Sequence, residues 1–583
     1  MCALALLCGL TSCSDFLEVK SQSEIVLEDF WNEKADVDNI VSGCYSALQG
    51  DGVMRRMMVW GEFRSENVMA GQNINDDVNL ENVLKENITA INGYTTWDGF
   101  YNIINRCNTV IKYAPQVAKR DPGYTQSELK ATIAEVSAIR DLCYFYLIRT
   151  FRDVPYSTVA FTDDDQTMDL PATPYNAVLD SLILDLESVQ NDAVLRYPET
   201  KPLYQTGRIT QDAIHALLCE LYLWRQDYDN CIKYADMVID SKKELYEEKR
   251  NQNSSSGFGQ SSQSVLNSRM NGYPLVNSLS GGYFGNTYSQ VFVQGNSQET
   301  VFELLFDKNE AGNTMLGNSA AGAFYGNAGV LKGLVGPSTA VTEDIAKTSS
   351  RTIFADRNKM VDARLYENVN SSAEAISKFV HQAVLIDATS STNVRATYSA
   401  KYGYAKISNV NHYYNSSSWV IYRLSDIMLL KAEAICQKMR EGSDEEINAY
   451  NQPLLAQAFS LVNAVNKRSV CETTLVDTLV AGDYLTKAQM EDLVLQERQR
   501  ELMFEGKRWY DLVRRSLRDG NTQVLSSAAQ KRDGVNGQFI QNFFQKMDAI
   551  FWPYNNDEIK VNRNLVQNSS FGSGENSSYE KTK

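Results

Sequence analysis

Apolar residues recur every three or four positions along most of this chain, and that period predicts helices. The pattern runs from about Leu27 to Leu48 and returns over Trp97–Ala118 through Tyr101, Ile104, Val110 and Ile111. Thr125 followed by Glu128 predicts a capping box opening the next helix. Its apolar stripe is Leu129, Ile133, Val136, Cys143 and Leu147, and from Leu142 to Ile148 it is apolar all round, so that end should be buried on every side. Arg140 lies in the same stripe, where a guanidinium needs a carboxylate or carbonyl partner. Thr173-Pro174 predicts another helix start, with threonine as cap and proline at the first helical position. Two helices over Thr210–Trp224 and Tyr228–Asp240 are joined by the tight turn Arg225-Gln226-Asp227. Residues 419–440, 454–468 and 486–518 add further helix.

Two stretches break this rhythm. Residues 51–96 read as loop-rich and hold Trp60, Arg64, Asn73, Asn75, Asp76, Asp77 and Tyr94. From about Asn251 the chain turns rich in Asn, Ser and Gly, with isolated aromatics such as Tyr283, Phe284, Tyr288 and Tyr325. Only Gln298–Phe306 alternates there like a short strand. So much irregular chain is unusual unless it has a task, and loops on a rigid scaffold are where binding residues collect. The expected layout is one domain over 27–583, with helical scaffold at about 27–50, 97–245 and 417–518. Loop-rich binding segments are expected at about 51–96 and 251–416.

A net charge of −16 repels phosphate, which excludes nucleic acid as a partner. Only His215, His381 and His412 occur and no C-x-x-C is present, so no metal site and no cofactor is expected. Beyond residue 13 the cysteines are scattered and odd in number, as small buried hydrophobes are. At the start, the apolar run Ala3–Leu10 leads into Leu10-Thr11-Ser12-Cys13, which resembles a bacterial lipobox. Residues 1–12 then read as a signal peptide lacking its usual basic beginning, Cys13 as the lipid-bearing residue, and 13–26 as lipidated N-terminus and tether. No other apolar run approaches the roughly 18 residues that cross a bilayer.

Four sets of residues together resemble the SusD/RagB family. They are CSDFLEV at Cys13–Val19; WDGFYNIINRCN at Trp97–Asn108 with VSAIRDLCYFYLIRTFRDVPY at Val136–Tyr156; SSWVIYRLSDIMLLKAEA at Ser417–Ala434; and ERQRELMFEGKRWYDLVR at Glu497–Arg514. Arg152 is a departure, standing where that family usually carries glycine. The resemblance implies a mostly α fold, a tetratricopeptide-like scaffold of helix pairs carrying an irregular ligand-binding half. It also implies a lipid-anchored protein of the outer membrane, exposed at the cell surface, that passes oligosaccharide to a SusC-like TonB-dependent transporter without catalysis. Peptide cargo, as in the RagB branch, is the alternative; a glycoside hydrolase and a protein-only tetratricopeptide adaptor are more distant ones.

Glu497, Glu501 and Glu505 recur every fourth residue, but carboxylates stacked on one helix face cannot flank a sugar as a retaining pair does. Arg498, Arg500 and Arg508 are their expected ion-pair partners. His215 reads as a core residue, no G-x-S-x-G elbow exists, and Gly506-Lys507 lacks the context of a P-loop. The ligand candidates are therefore loop residues: Trp60, Arg64, Tyr94, Tyr283, Phe284, Tyr288 and Tyr325. An aromatic ring takes the C–H face of a sugar while polar side chains bond its hydroxyl rim.

Overall fold

The computed structural model describes residues 30–163, 165–252, 417–442, 444–470 and 479–571. Between 253 and 416 it describes 269–277, 283–284, 287–306, 318–326, 333–342, 362–370, 375–379, 382–383, 386–387 and 405–406. Cys13, the signal peptide and the tether lie outside the described residues.

The principal helices are α1 (Lys34–Leu48), α2 (Asp51–Glu62), α3 (Asp98–Arg120), α4 (Gln126–Phe151), α5 (Tyr175–Val189), α6 (Gln211–Arg225), α7 (Tyr228–Gln252), α8 (Leu424–Gln437), α9 (Glu445–Ser469), α10 (Lys487–Leu502) and α11 (Arg508–Asp519). They stack in series: α1 packs on α3, α3 on α4, α4 on α5, α5 on α6, α6 on α7, α7 on α8, and α8 on α9 and α10. Neighbours bury each other's apolar stripes, which is how helix-pair arrays build a continuous core. The predicted signals do the local work. Thr125 Oγ1 accepts from Glu128 N at 3.3 Å and Glu128 Oε2 from Thr125 N at 3.0 Å. Gln226 turns the α6–α7 corner in the left-handed region, at φ 64°. Arg140 finds Asp141 and Asn108 at 3.1 Å, and Asp185.

Four expectations change. The segment 51–96 is not simply loop: it contains α2 and a second helix, Val78–Leu84. Met57 to Glu62 are all buried, so that end of α2 shows no polar face for a period to reveal. Residues 419–423 form a strand rather than helix, Trp419–Arg423 pairing antiparallel with Thr300–Leu304. Buried throughout, this strand reads as an unbroken apolar run, which periodicity cannot separate from helix. The helix predicted at Thr173-Pro174 begins at Tyr175, whose N–H is capped at 2.8 Å by Asp153 Oδ1 from the preceding corner. Finally, 486–518 is two helices, broken where Phe504 and Gly506 take φ of 69° and 71°.

That break is a structural joint. The buried Glu62 carboxylate accepts from the N–H groups of Phe504 (2.9 Å), Gly506 (3.1 Å) and Lys507 (3.2 Å). A Cβ on Gly61 would stand 1.8 Å from the Gly506 carbonyl oxygen, so the two backbones meet only because glycine is there. Beside it the glutamate ladder is fully buried and paired, as expected, but mostly with other partners. Glu497 meets Arg364 and Arg500 at 2.8 Å; Glu501 meets Arg364 at 3.0 Å as well as Arg423 and Arg468. Glu505 meets Arg423 at 2.7 Å and Lys378 at 2.6 Å. Arg498 instead pairs with Asp426 and Asp511, and Arg508 with Glu66. Through Arg364, Lys378 and the Arg468–Glu299 pair, this lattice ties the irregular half to the stack.

Candidate functional site

The loop aromatics chosen from sequence mostly point inward. Trp60 is 0% exposed, stacks on Phe100 at 5.0 Å and donates its indole N–H to Tyr94 O at 2.8 Å. Arg64, also 0% exposed, donates to Glu86 at 2.7 Å and to the carbonyls of Ala549 (2.8 Å) and Ile550 (2.9 Å), its guanidinium 4.4 Å from the Trp509 ring. The Tyr94 hydroxyl donates to Asp77 at 2.5 Å, that of Tyr288 to Glu501 O at 3.1 Å, and that of Tyr325 to Phe504 O at 2.9 Å. Tyr283 and Phe284 form a two-residue strand opposite Asp387 and Ile386. Trp60, Arg64, Tyr94, Tyr288 and Tyr325 are thus buried and occupied; they hold the scaffold together and offer no open ring face in this structure. They stand in segments read as loop, while their true contacts come from distant segments.

Two hollows remain. The larger, about 810 Å³, lies between the start of α3, the crossover 155–170 and the C-terminal stretch 558–565. That volume falls within the roughly 300–1,000 Å³ usual for ligand sites. Its floor is aromatic: Trp97 and Tyr101 meet edge to face at 5.6 Å, and Tyr101 and Tyr144 at 6.2 Å. The wall is pinned by side chains of α3 and α4. Asn105 donates to Phe161 O at 2.9 Å and accepts from Phe161 N at 2.8 Å; Asn108 holds the carbonyls of Ser157 and Val159. The Tyr101 hydroxyl donates to Pro155 O at 2.7 Å, and that of Tyr144 to Ser157 O at 2.8 Å. On the other side Asn562 and Asn564 donate to the carbonyls of Leu170 (2.7 Å) and Asp169 (2.6 Å). With those groups spent on construction, the cleft presents Tyr101, Phe161, Met168, Leu170, Val561 and Leu565 as apolar surface. Asp98, Asp169 and Glu558 are its charges. Burial raises the Glu558 pKa, partly opposed by the Trp97 side chain, which hydrogen-bonds to its carboxylate.

The smaller hollow, about 310 Å³, is lined by Tyr246 and by the amides of Asn277, Gln290, Gln294, Asn296 and Gln298. It falls largely in the segment expected to bind ligand. The larger cleft does not, and sequence reasoning missed it. A signal existed: Trp97, Tyr101, Asn105 and Asn108 lie at i, i+4, i+8 and i+11, an aromatic–amide stripe along one helix edge. Nothing local marks Glu558. Among the described residues no cluster of His, Cys, Asp and Glu is arranged to hold a metal, and no helix is long and apolar enough to cross a membrane.

Comparison with known proteins gives this architecture its kin. A SusD-like protein of Formosa agariphila is 24% identical over 571 residues, covering 96% of both chains. A SusD superfamily structure from Bacteroides vulgatus superposes with a TM-score of 0.62 at 16% identity, covering 93% of this chain and 100% of that one. The surface glycan-binding protein A of Bacteroides thetaiotaomicron, solved with laminarihexaose, superposes at 0.59 and 16% identity, covering 92% and 100%. Residues 15–223 match the family described as "Starch-binding associating with outer membrane". Because residues 224–571, more than half the chain, match the SusD family itself, the protein belongs to that family.

Proposed function

We propose that this protein captures oligosaccharides at the bacterial surface and passes them to a TonB-dependent transporter, making and breaking no bonds. In this reading Cys13 carries the lipid that holds it at the outer membrane, and the 810 Å³ cleft receives the sugar. The observation that carries the reading is the cleft itself, aromatic below and hydroxyl-accepting at the rim. A hexose ring laid on Tyr101 and Phe161 would bury its C–H face and direct hydroxyl donors to Asp98, Asp169 and Glu558. The glycan-bound relative with the same fold supports the ligand class. The glutamate ladder supports the lack of catalysis, since each of its carboxylates is already held by cations inside the protein.

Calorimetric titration of the chain from Ser14 onward against panels of oligosaccharides and peptides tests this. Binding to an oligosaccharide is expected, weakened about tenfold by Tyr101→Ala through loss of one ring contact. Peptide binding alone would favour the RagB-like reading, and release of reducing ends during incubation would overturn the non-catalytic one.

A further inference from the structure

From the charges of the large cleft we infer which glycans it takes: neutral or amino-sugar oligosaccharides, with uronic-acid and sulfated ones rejected. The inference rests on the reading of that cleft as the capture site and adds its selectivity. Among the described residues, those lining the cleft include Asp98, Asp169 and Glu558 and no lysine, arginine or histidine. Asp98 and Asp169 are exposed at the rim; Glu558 is half-buried beside Trp97.

The cations nearby lie outside that lining: Arg563 is exposed beside Asn562 in the chain, and the others have partners of their own. Arg56 pairs loosely with Asp98 at 4.0 Å, while its N–H groups go to Thr96 and to the carbonyls of Gly52 and Gly93. Lys560 pairs at 2.7 Å with Asp557, both exposed on the same short helix as Glu558. Lys112 donates to Thr162. The backbone carbonyls of the wall are acceptors as well, already taken by Asn105, Asn108 and Tyr144. A carboxylate or sulfate on the ligand would therefore face three carboxylates, one of them 4.0 Å from Arg56, and no cation among the described lining residues, next to apolar walls that weaken screening. Hydroxyl and ammonium donors meet the acceptors they need. The whole chain, at −16, adds long-range repulsion of the same sign.

The experiment compares the full chain after Cys13 with its triple variant Asp98→Asn, Asp169→Asn, Glu558→Gln. Three oligosaccharide sets of matched length are titrated at low salt: neutral glucans, glucosamine oligomers and uronate oligomers. For the native protein the uronate set should bind at least about tenfold more weakly than the neutral set, a gap of one like-charge contact or more. In the triple variant that ratio should shrink severalfold, and added salt should shrink it in the native protein too. Uronate binding as tight as neutral binding, or a ratio the variant leaves alone, would overturn the inference while leaving glycan capture standing. Failure to bind any of the three sets would instead remove the capture reading, and the inference with it.

Discussion

The helical stack leans mainly on apolar packing between neighbours, whereas its join to the irregular half adds a dense lattice of buried charges. In the stack, consecutive helices bury apolar stripes against one another, and residues such as Leu217, Leu221, Ile427 and Leu430 sit at 2% exposure or less. Where the irregular half meets it, the contact is a lattice of fully buried charges: Arg364, Arg423, Arg468 and Lys378 against Glu299, Glu497, Glu501 and Glu505. Apolar contacts tolerate small shifts of register. Buried ion pairs do not, because a charge that loses its partner inside the protein retains its desolvation cost. The lattice thus fixes one placement of the irregular half on a scaffold whose own stability comes from packing.

The largest test of this contrast is Arg423→Met, which leaves Glu501 and Glu505 short of a cation. It should cost about 3–5 kcal/mol, read by chemical denaturation, and hasten proteolysis around Thr300–Leu304 before the helices melt. Cooperative unfolding of the whole chain, with no early cleavage there, would show that the join is no weaker than the stack.

Acid should act next. Asp426 and Glu433 lie on α8; burial opposes their charge, yet Lys507 and Arg498 bring Asp426, and Arg514 and Arg518 bring Glu433, down to about 2. A carboxyl group whose folded pKa is depressed adds stability above its unfolded pKa and loses it as pH falls through the folded value. Each should therefore contribute roughly 2–3 kcal/mol at neutral pH that disappears between about pH 5 and pH 1. Glu433→Gln should flatten that part of the stability profile; an unchanged slope would assign it to other groups.

The smallest effect is expected at Arg152. It ends α4 at φ 71°, a conformation glycine adopts freely, and its guanidinium holds Asp153 at 2.8 Å and Asp548 at 3.3 Å. Arg152→Gly should relieve about 1 kcal/mol of strain but leave the buried Asp548 without this cation, for a net loss of about 1–2 kcal/mol. A loss above about 2 kcal/mol would mean the ion pairs, rather than the backbone, fix this corner.

These regions also differ in how far the sequence disclosed them. The stack was legible because its signals are local: the Thr125–Glu128 box, the apolar stripe of α4 and the Gln226 turn each act within a few residues. The demand that Arg140 be partnered was legible too, though not by whom. The join was not legible. Arg364, Lys378 and Glu299 reach the glutamate ladder from far along the chain, and the strand Trp419–Arg423 looked helical until its partner, Thr300–Leu304, lay beside it. The same blindness hid the surroundings of the binding candidates. Trp60 and Tyr288 stood in segments read as loop but are buried by distant segments, whereas Tyr101 sat in a helix read as scaffold and came to floor the cleft.

Location of a bound oligosaccharide tests the central claim most directly. Crystals of the chain grown with a neutral oligosaccharide that binds in calorimetry should show a sugar ring over Tyr101 and Phe161, with hydroxyls on Asp98 or Glu558. Sugar found instead in the amide-lined hollow beside Tyr246, or against Trp60 or Tyr288 in an opened interior, would contradict the account.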